Sequence, residues 1–133
     1  MANRLTTFPN GIESFLVDSN STAKAAAYTV IITTDSGKTF TNSETDGVVF
    51  TLPAIATGNT ITFVNTAVNG AADLTISPNA SDGIQYAGSN TDDKDLINTK
   101  ATAKQGDFVT LASLNGTTAW QVVAARGVWA KEA

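Results

Sequence analysis

The chain contains no histidine and no cysteine. Without cysteine there is no disulfide framework and no cysteine-based zinc site. Without histidine the usual acid–base residue and the commonest metal ligand are missing, and a serine nucleophile has lost its usual base. A Ser–Lys arrangement has no motif to support it. Charge is scarce too: Asp, Glu, Lys and Arg make up 15% of the 133 residues, against about 25% in ordinary soluble domains. The net charge is -4 and no run of Lys or Arg occurs. Clustered positive charge, which binding to a phosphate backbone needs, is therefore absent, and no nucleic-acid partner is expected. The longest strongly apolar stretch, around Tyr28–Ile32, is far too short to span a bilayer. No membrane partner is expected either. The opening, MANRLTTFPNG, carries no apolar secretory region, so synthesis in a cytoplasm is expected. No helical i, i+3, i+4 pattern is sustained anywhere.

What the chain does have is alternation. The segments AYTVIITT, GVVFTLP, NTITFVN, ADLTIS, DFVTLAS and AWQVVAA alternate apolar with polar or small residues, the mark of strands with one buried face. A first strand is expected over Ala26–Thr34, then a hairpin turn at Asp35-Ser36-Gly37-Lys38 and a short strand to Asn42. Further strands follow with Val48, Phe50 and Leu52 inward, then Ile61 and Phe63, then Leu74 and Ile76, ended by Pro78. Ile84 and Tyr86 mark a short segment. Phe108–Ser113 and Trp120–Ala125 read as a hairpin around Asn115-Gly116, and Gly127 breaks the chain before Val128-Trp129. Evenly spaced turns between short strands predict an all-β domain, an antiparallel β-sandwich or barrel, over residues 25–133. KTFTN…VVFTLP and TITFVN…ADLTIS echo each other and read as hairpins, without an exact repeat. Residues 1–24 lack a clean period and read as an extended N-terminal arm, with a tight turn at Phe8-Pro9-Asn10-Gly11.

Three features invite a chemical reading. Gly37-Lys38-Thr39 matches the end of a phosphate-binding loop, but Ile32 stands where its first glycine belongs and a strand follows, so a turn is expected. Asn90, Asp92, Asp93 and Asp95 are the one acidic cluster, a candidate loop for a hard cation such as calcium. The EF-hand pattern fails there, because Asp95 and Ala101 occupy its glycine and glutamate positions, and the plainer expectation is a solvated charged loop. The remaining aspartates lie mostly in turns, where they cap local backbone instead of pairing for glycoside hydrolysis. No cofactor is expected. Trp120 belongs in the core; Trp129, near the end of the chain, is a possible interface anchor.

Leu5–Ile12, LTTFPNGI, followed by Ser14-Phe15, resembles a short N-terminal stretch of many bacteriophage head and tail proteins. YTVIITTDSGKTFTN with FTLPAIATGNTITFVN and LTISP resembles a β-rich module of phage capsid decoration (cement) proteins and of tail-fibre segments. The similarity covers most of Leu5–Pro78. It implies a jelly-roll-like, non-enzymatic virion structural protein on the capsid surface, bridging subunits of the major capsid protein. It also implies a homotrimer. A chain that starts at Met and stops soon after its last strand fits a stand-alone decoration protein better than a fibre module. On this reading the arm residues Arg4, Leu5, Phe8, Pro9, Ile12 and Phe15 contact the coat, adding as a strand to an exposed edge. The alternatives are a tail- or head-fibre module binding a host receptor or glycan, and a carbohydrate-active enzyme of unusual design.

Overall fold

The computed structural model describes residues 21–42, 47–114 and 119–133. Within these, the chain is all-β apart from one helical turn. The strands are β1 (Ser21–Lys24), β2 (Tyr28–Thr29), β3 (Thr39–Asn42), β4 (Val48–Thr51), β5 (Thr60–Asn65), β6 (Leu74–Ser77), β7 (Ile84–Gln85), β8 (Leu96–Asn98), β9 (Asp107–Ala112), β10 (Trp120–Arg126) and β11 (Ala130–Lys131). They form a six-stranded sheet in the order β1-β3-β5-β9-β10-β7 and a five-stranded sheet in the order β11-β8-β6-β4-β2.

Both sheets are mixed, and this corrects the antiparallel expectation. The first six strands alternate between sheets as the chain advances, so β1, β3 and β5 stack parallel in one while β2, β4 and β6 stack parallel in the other. Parallel neighbours need a crossover connection. Here each crossover is itself a strand of the opposite sheet, and the chain winds as a coil. The chain then turns back: β8 runs antiparallel to β6, β9 to β5 and β10 to β9. Alternation reveals which face of a strand is buried but not which strand lies beside it. The two echoing segments therefore misled as hairpins. Phe40 stands beside Phe63 and Phe50 beside Ile76, so the echo marks successive turns of the coil.

The inward positions expected around β4, β5 and β6 (Val48, Phe50, Leu52, Ile61, Phe63, Leu74 and Ile76), and Trp120, are buried in one core, and Ile84, Leu96, Val109 and Leu111 join them. Its centre is aromatic: the rings of Phe40 and Phe50, from opposite sheets, have centroids 5.5 Å apart, and Phe50 and Phe63 are 5.0 Å apart. Such tilted pairs add to the stabilisation from buried area.

The expected strand over Ala26–Thr34 is a second correction. Only Tyr28–Thr29 pairs as strand, and Ile32–Asp35 forms a single helical turn. Ile-Thr-Thr is a poor helix former by propensity. The Asp35 carboxylate overrides it by accepting hydrogen bonds from the Ile31 N–H (2.8 Å) and the Tyr28 hydroxyl (2.9 Å). Asp35–Lys38 is a turn, closed by the Lys38 N–H on the Asp35 carbonyl at 3.0 Å, but its flanking strands enter different sheets, so it is no hairpin. Ser21–Lys24, read as the end of an arm, is an edge strand paired with β3.

Candidate functional site

The sequence pointed to residues 1–17, Trp129 and the acidic loop. Arg4, Leu5, Phe8, Pro9, Ile12 and Phe15 lie outside the described residues, as does the Asn115-Gly116 turn. Trp129 is not an exposed anchor. Only 6% of its surface is accessible, and its indole N–H donates to the Arg126 carbonyl at 3.0 Å. The backbone reversal at Gly127 (φ +100°) folds it back onto the core.

Asn90, Asp92 and Asp93 are exposed and Asp95 is half-buried, as expected of a solvated charged loop, while the backbone of the loop is tied into the fold. Asp92 bridges Gly83, the Asp93 N–H donates to the Asp82 carbonyl, and the Asp95 carbonyl accepts from the Glu132 N–H. Gly83 is required there, because a Cβ on it would lie 2.1 Å from the Asn90 carbonyl oxygen. Among the described residues no three acidic side chains are grouped so that they could hold a metal ion.

The polar feature that sequence reasoning missed lies inside. Asn42, Asn65 and Asp107 stand in register across the six-stranded sheet, all buried. Asn98 reaches in from the other sheet. It accepts from Asn65 Nδ2 at 2.8 Å and donates through Nδ2 to Asp107 Oδ2 and the Val128 carbonyl, both at 3.0 Å. Asp107 Oδ2 also accepts the Lys104 N–H at 2.9 Å, and Asn42 Oδ1 accepts the Thr66 N–H at 2.9 Å. A signal for this seam was present. Phe40-Thr41-Asn42, Phe63-Val64-Asn65 and Leu96-Ile97-Asn98 each place an asparagine on the buried parity, two residues after a core residue. The Asn42 Nδ2 and the Trp120 Nε1 are buried without an acceptor among the described residues.

The two ends of the coil differ. At one end Lys131 of β11 donates through Nζ to the Ile84 carbonyl (3.1 Å) and the Lys94 carbonyl (2.7 Å), clasping the terminal strands of both sheets. Burial pushes the Lys131 amine below its usual range. At the other end, β1 and β2 are the terminal strands. There the Lys24 ammonium sits 3.6 Å over the Tyr28 ring, and Tyr28 packs on Phe40. Asp35 beside them is held below the usual carboxylate range. Burial pushes it up, but the Ile31 N–H, the Tyr28 hydroxyl and the Lys38 ammonium at 3.5 Å outweigh burial. The same bond to Asp35, with burial, raises the Tyr28 phenol.

The outer faces are nearly free of charge. Thr39, Thr62 and Thr110 form a row across one sheet, and Thr62 and Thr110 share a hydroxyl–hydroxyl bond of 2.9 Å. Thr29, Thr51 and Ser77 form a row across the other. Arg126, folded over the Phe108 ring, is the one charged residue at an outward strand position among the described residues. Beside these hydroxyl rows lie apolar outward positions, Val64 and Phe108 on one sheet and Val49 and Ile97 on the other. Among the described residues no helix is long and apolar enough to cross a membrane. In comparisons with known proteins, no family model and no curated protein sequence matches the chain.

Proposed function

We propose that this chain is a non-enzymatic virion structural protein of a bacteriophage, a decoration protein that binds the outer surface of the capsid and bridges neighbouring coat subunits. In this reading it is made in the host cytoplasm, joins the major capsid protein, and associates with itself as a homotrimer. The two sheets act as the layers of a sandwich. They hold the outer faces rigid, and residues 1–17, with Arg4, Leu5, Phe8, Pro9, Ile12 and Phe15, contact the coat. Several copies of a modest contact gain strength by avidity.

The observation that carries this reading is the nearly uncharged outer face of both sheets, where Thr/Ser rows alternate with apolar Val49, Val64, Ile97 and Phe108, on a body whose buried asparagines bond within its own seam. The resemblance of Leu5–Pro78 to phage head and tail proteins, capsid decoration proteins and tail-fibre segments among them, supports a virion role. The alternative, a head- or tail-fibre module binding a host receptor or glycan, draws support from the parallel coil, a form that lengthens by adding turns. It loses Trp129 as a contact residue, because that side chain is buried.

Expanded coat shells mixed with the intact chain and with a chain lacking residues 1–17 test the proposal by co-sedimentation. The intact chain is expected to saturate the shells and the shortened chain to bind at least about tenfold more weakly, as lost avidity implies. No binding by the intact chain, or equal binding by both, rejects it.

A further inference from the structure

We propose that the open edge of β10, Val122–Arg126, is a strand-addition site for an extended segment of another protein, apolar along its length and carrying a carboxylate that meets Arg126. The inference goes beyond the decoration reading and is tested without any shell, so either can fall alone.

The edge is open because β7 is short. β10 runs for seven residues, and β9 lines one side of it. On the other side β7 pairs with Trp120 and Gln121 only. Beyond Gln85 the chain reverses at Ala87-Gly88, both at positive φ (+50° and +87°), and the backbones of Tyr86 and Ser89 exchange bonds of 2.9 and 3.0 Å. Positive φ at both central residues marks a tight hairpin turn, and alanine adopts it at a cost. The turn carries the chain away where it could have continued along β10. Among the described residues no strand lies beside Val122–Arg126 on that side.

Such an edge presents alternate backbone donors and acceptors, which another extended backbone satisfies in full. Natural edges are commonly guarded by lysine, proline or an inward-pointing charge. Ala119–Ala125 contains none of these. Its one guard is a bulge at Val123, where the register with β9 shifts between Val122 and Ala124. Val123 and Val128 stay 52% and 56% exposed, and Ala124 and Ala125 are exposed too. Ala125 stands in register with the buried Val109, so it lies on the core side of the sheet without being covered. That uncovered strip can take an apolar side chain of an added strand.

Charge decides the kind of partner. Arg126 is the one charged residue of the edge and is exposed. A guanidinium has five N–H donors, and the Gly106 carbonyl takes one. Among the described residues the one ion pair joins Lys38 and Asp35, so Arg126 meets no carboxylate there. A second copy of β10 brings none either, because Trp120–Arg126 contains no Asp or Glu. A foreign segment with a carboxylate opposite Arg126 supplies it, and the complementary charge fixes the register of the added strand.

Two fluorescent, end-capped peptides test the idea. One is Asp-Val-Thr-Val-Thr-Val-Asp, which offers Arg126 a carboxylate in either strand direction; its twin has Lys in place of both Asp. Binding to the full chain is read by anisotropy, and the bound region by hydrogen–deuterium exchange. The Asp peptide is expected to bind saturably and about fivefold tighter than the Lys twin. The net charge of -4 by itself favours the twin, so this order marks the local site. Arg126→Glu is expected to reverse it. On the unaltered chain, amides of Val122–Arg126 are expected to exchange more slowly with the Asp peptide bound, while those of β4 and β6 stay unchanged; this readout stands even where Arg126→Glu fails to fold. No saturable binding, equal or tighter binding of the Lys twin, or slowing confined to other strands overturns the proposal. So does protection of Val122–Arg126 in the chain alone that vanishes on dilution, which would assign the edge to a second copy.

Discussion

Asn98 joins the two sheets through polar bonds, in a buried seam with Asn65 and Asp107. Each of its side-chain atoms is engaged: Oδ1 with Asn65, Nδ2 with Asp107 and with the Val128 carbonyl. Removing one partner from a buried network leaves the others without bonds, and the cost is the desolvation already incurred by those groups. Asn98→Ala is expected to lower the unfolding free energy by about 2–3 kcal/mol. Asn42 is buried equally but bonds through one side-chain atom, so Asn42→Ala is expected to cost about 1 kcal/mol. Urea unfolding of the two variants checks the ranking; equal losses would mean that the seam does not act as a network. Trp129 carries a related lesson. Its indole N–H finds the Arg126 carbonyl three residues back, so the ring is buried without an orphaned donor.

The helical turn Ile32–Asp35 is an element created by one side chain. The Asp35 carboxylate holds the Ile31 N–H and ties the turn to Tyr28. Its folded acidity is strengthened, so the stability it contributes is complete above the ordinary Asp value of 3.8 and is lost as pH falls through the lower folded value. The Tyr28 phenol is shifted upward, so its contribution is complete below 10.0 and is lost as pH rises through the higher folded value. Lys131 works in the opposite sense on the alkaline side. Its amine is shifted downward, so stability grows as pH rises from its folded value toward 10.5. Asp35→Asn is expected to flatten the acid limb of the stability–pH curve, and Tyr28→Phe to flatten the limb above pH 10. Chemical denaturation across pH reads both. An acid limb unchanged in Asp35→Asn would show that the carboxylate is not what holds the turn.

At the scale of the molecule, the coil sets how the chain folds. Parallel stacking of β1 on β3 on β5 brings together residues about one coil turn apart, and pairing β5 with β9 spans Thr60 to Ala112. Loop closure must precede the contacts that reward it, so folding is expected on about the millisecond-to-second scale of non-local β-proteins, not in microseconds. Stopped-flow refolding followed by Trp120 fluorescence measures this. Complete recovery within microseconds would contradict the wound topology. The same topology turns one face of each sheet outward, nearly uncharged and lined by hydroxyl and apolar side chains, which is the property on which the proposed capsid role depends.

The sequence by itself determined the longer strands β4, β5, β6, β9 and β10, and the buried faces of β4, β5 and β6. In TITFVN and GVVFTLP the period of two is written residue by residue, and Pro78 and Gly127 mark stops through their own backbone chemistry. Asn65 and Asn98 sat on the buried parity as well, yet nothing local said that they would meet. Only the tertiary structure decided which strand lies beside which. Parallel partners sit a full coil turn apart, and the preference for one neighbour over another arises from ring packing and polar bonds made across the core. The seam, the buried Trp129 and the Asp35 turn all belong to that second kind of information, because each depends on a partner that the period of a strand does not encode.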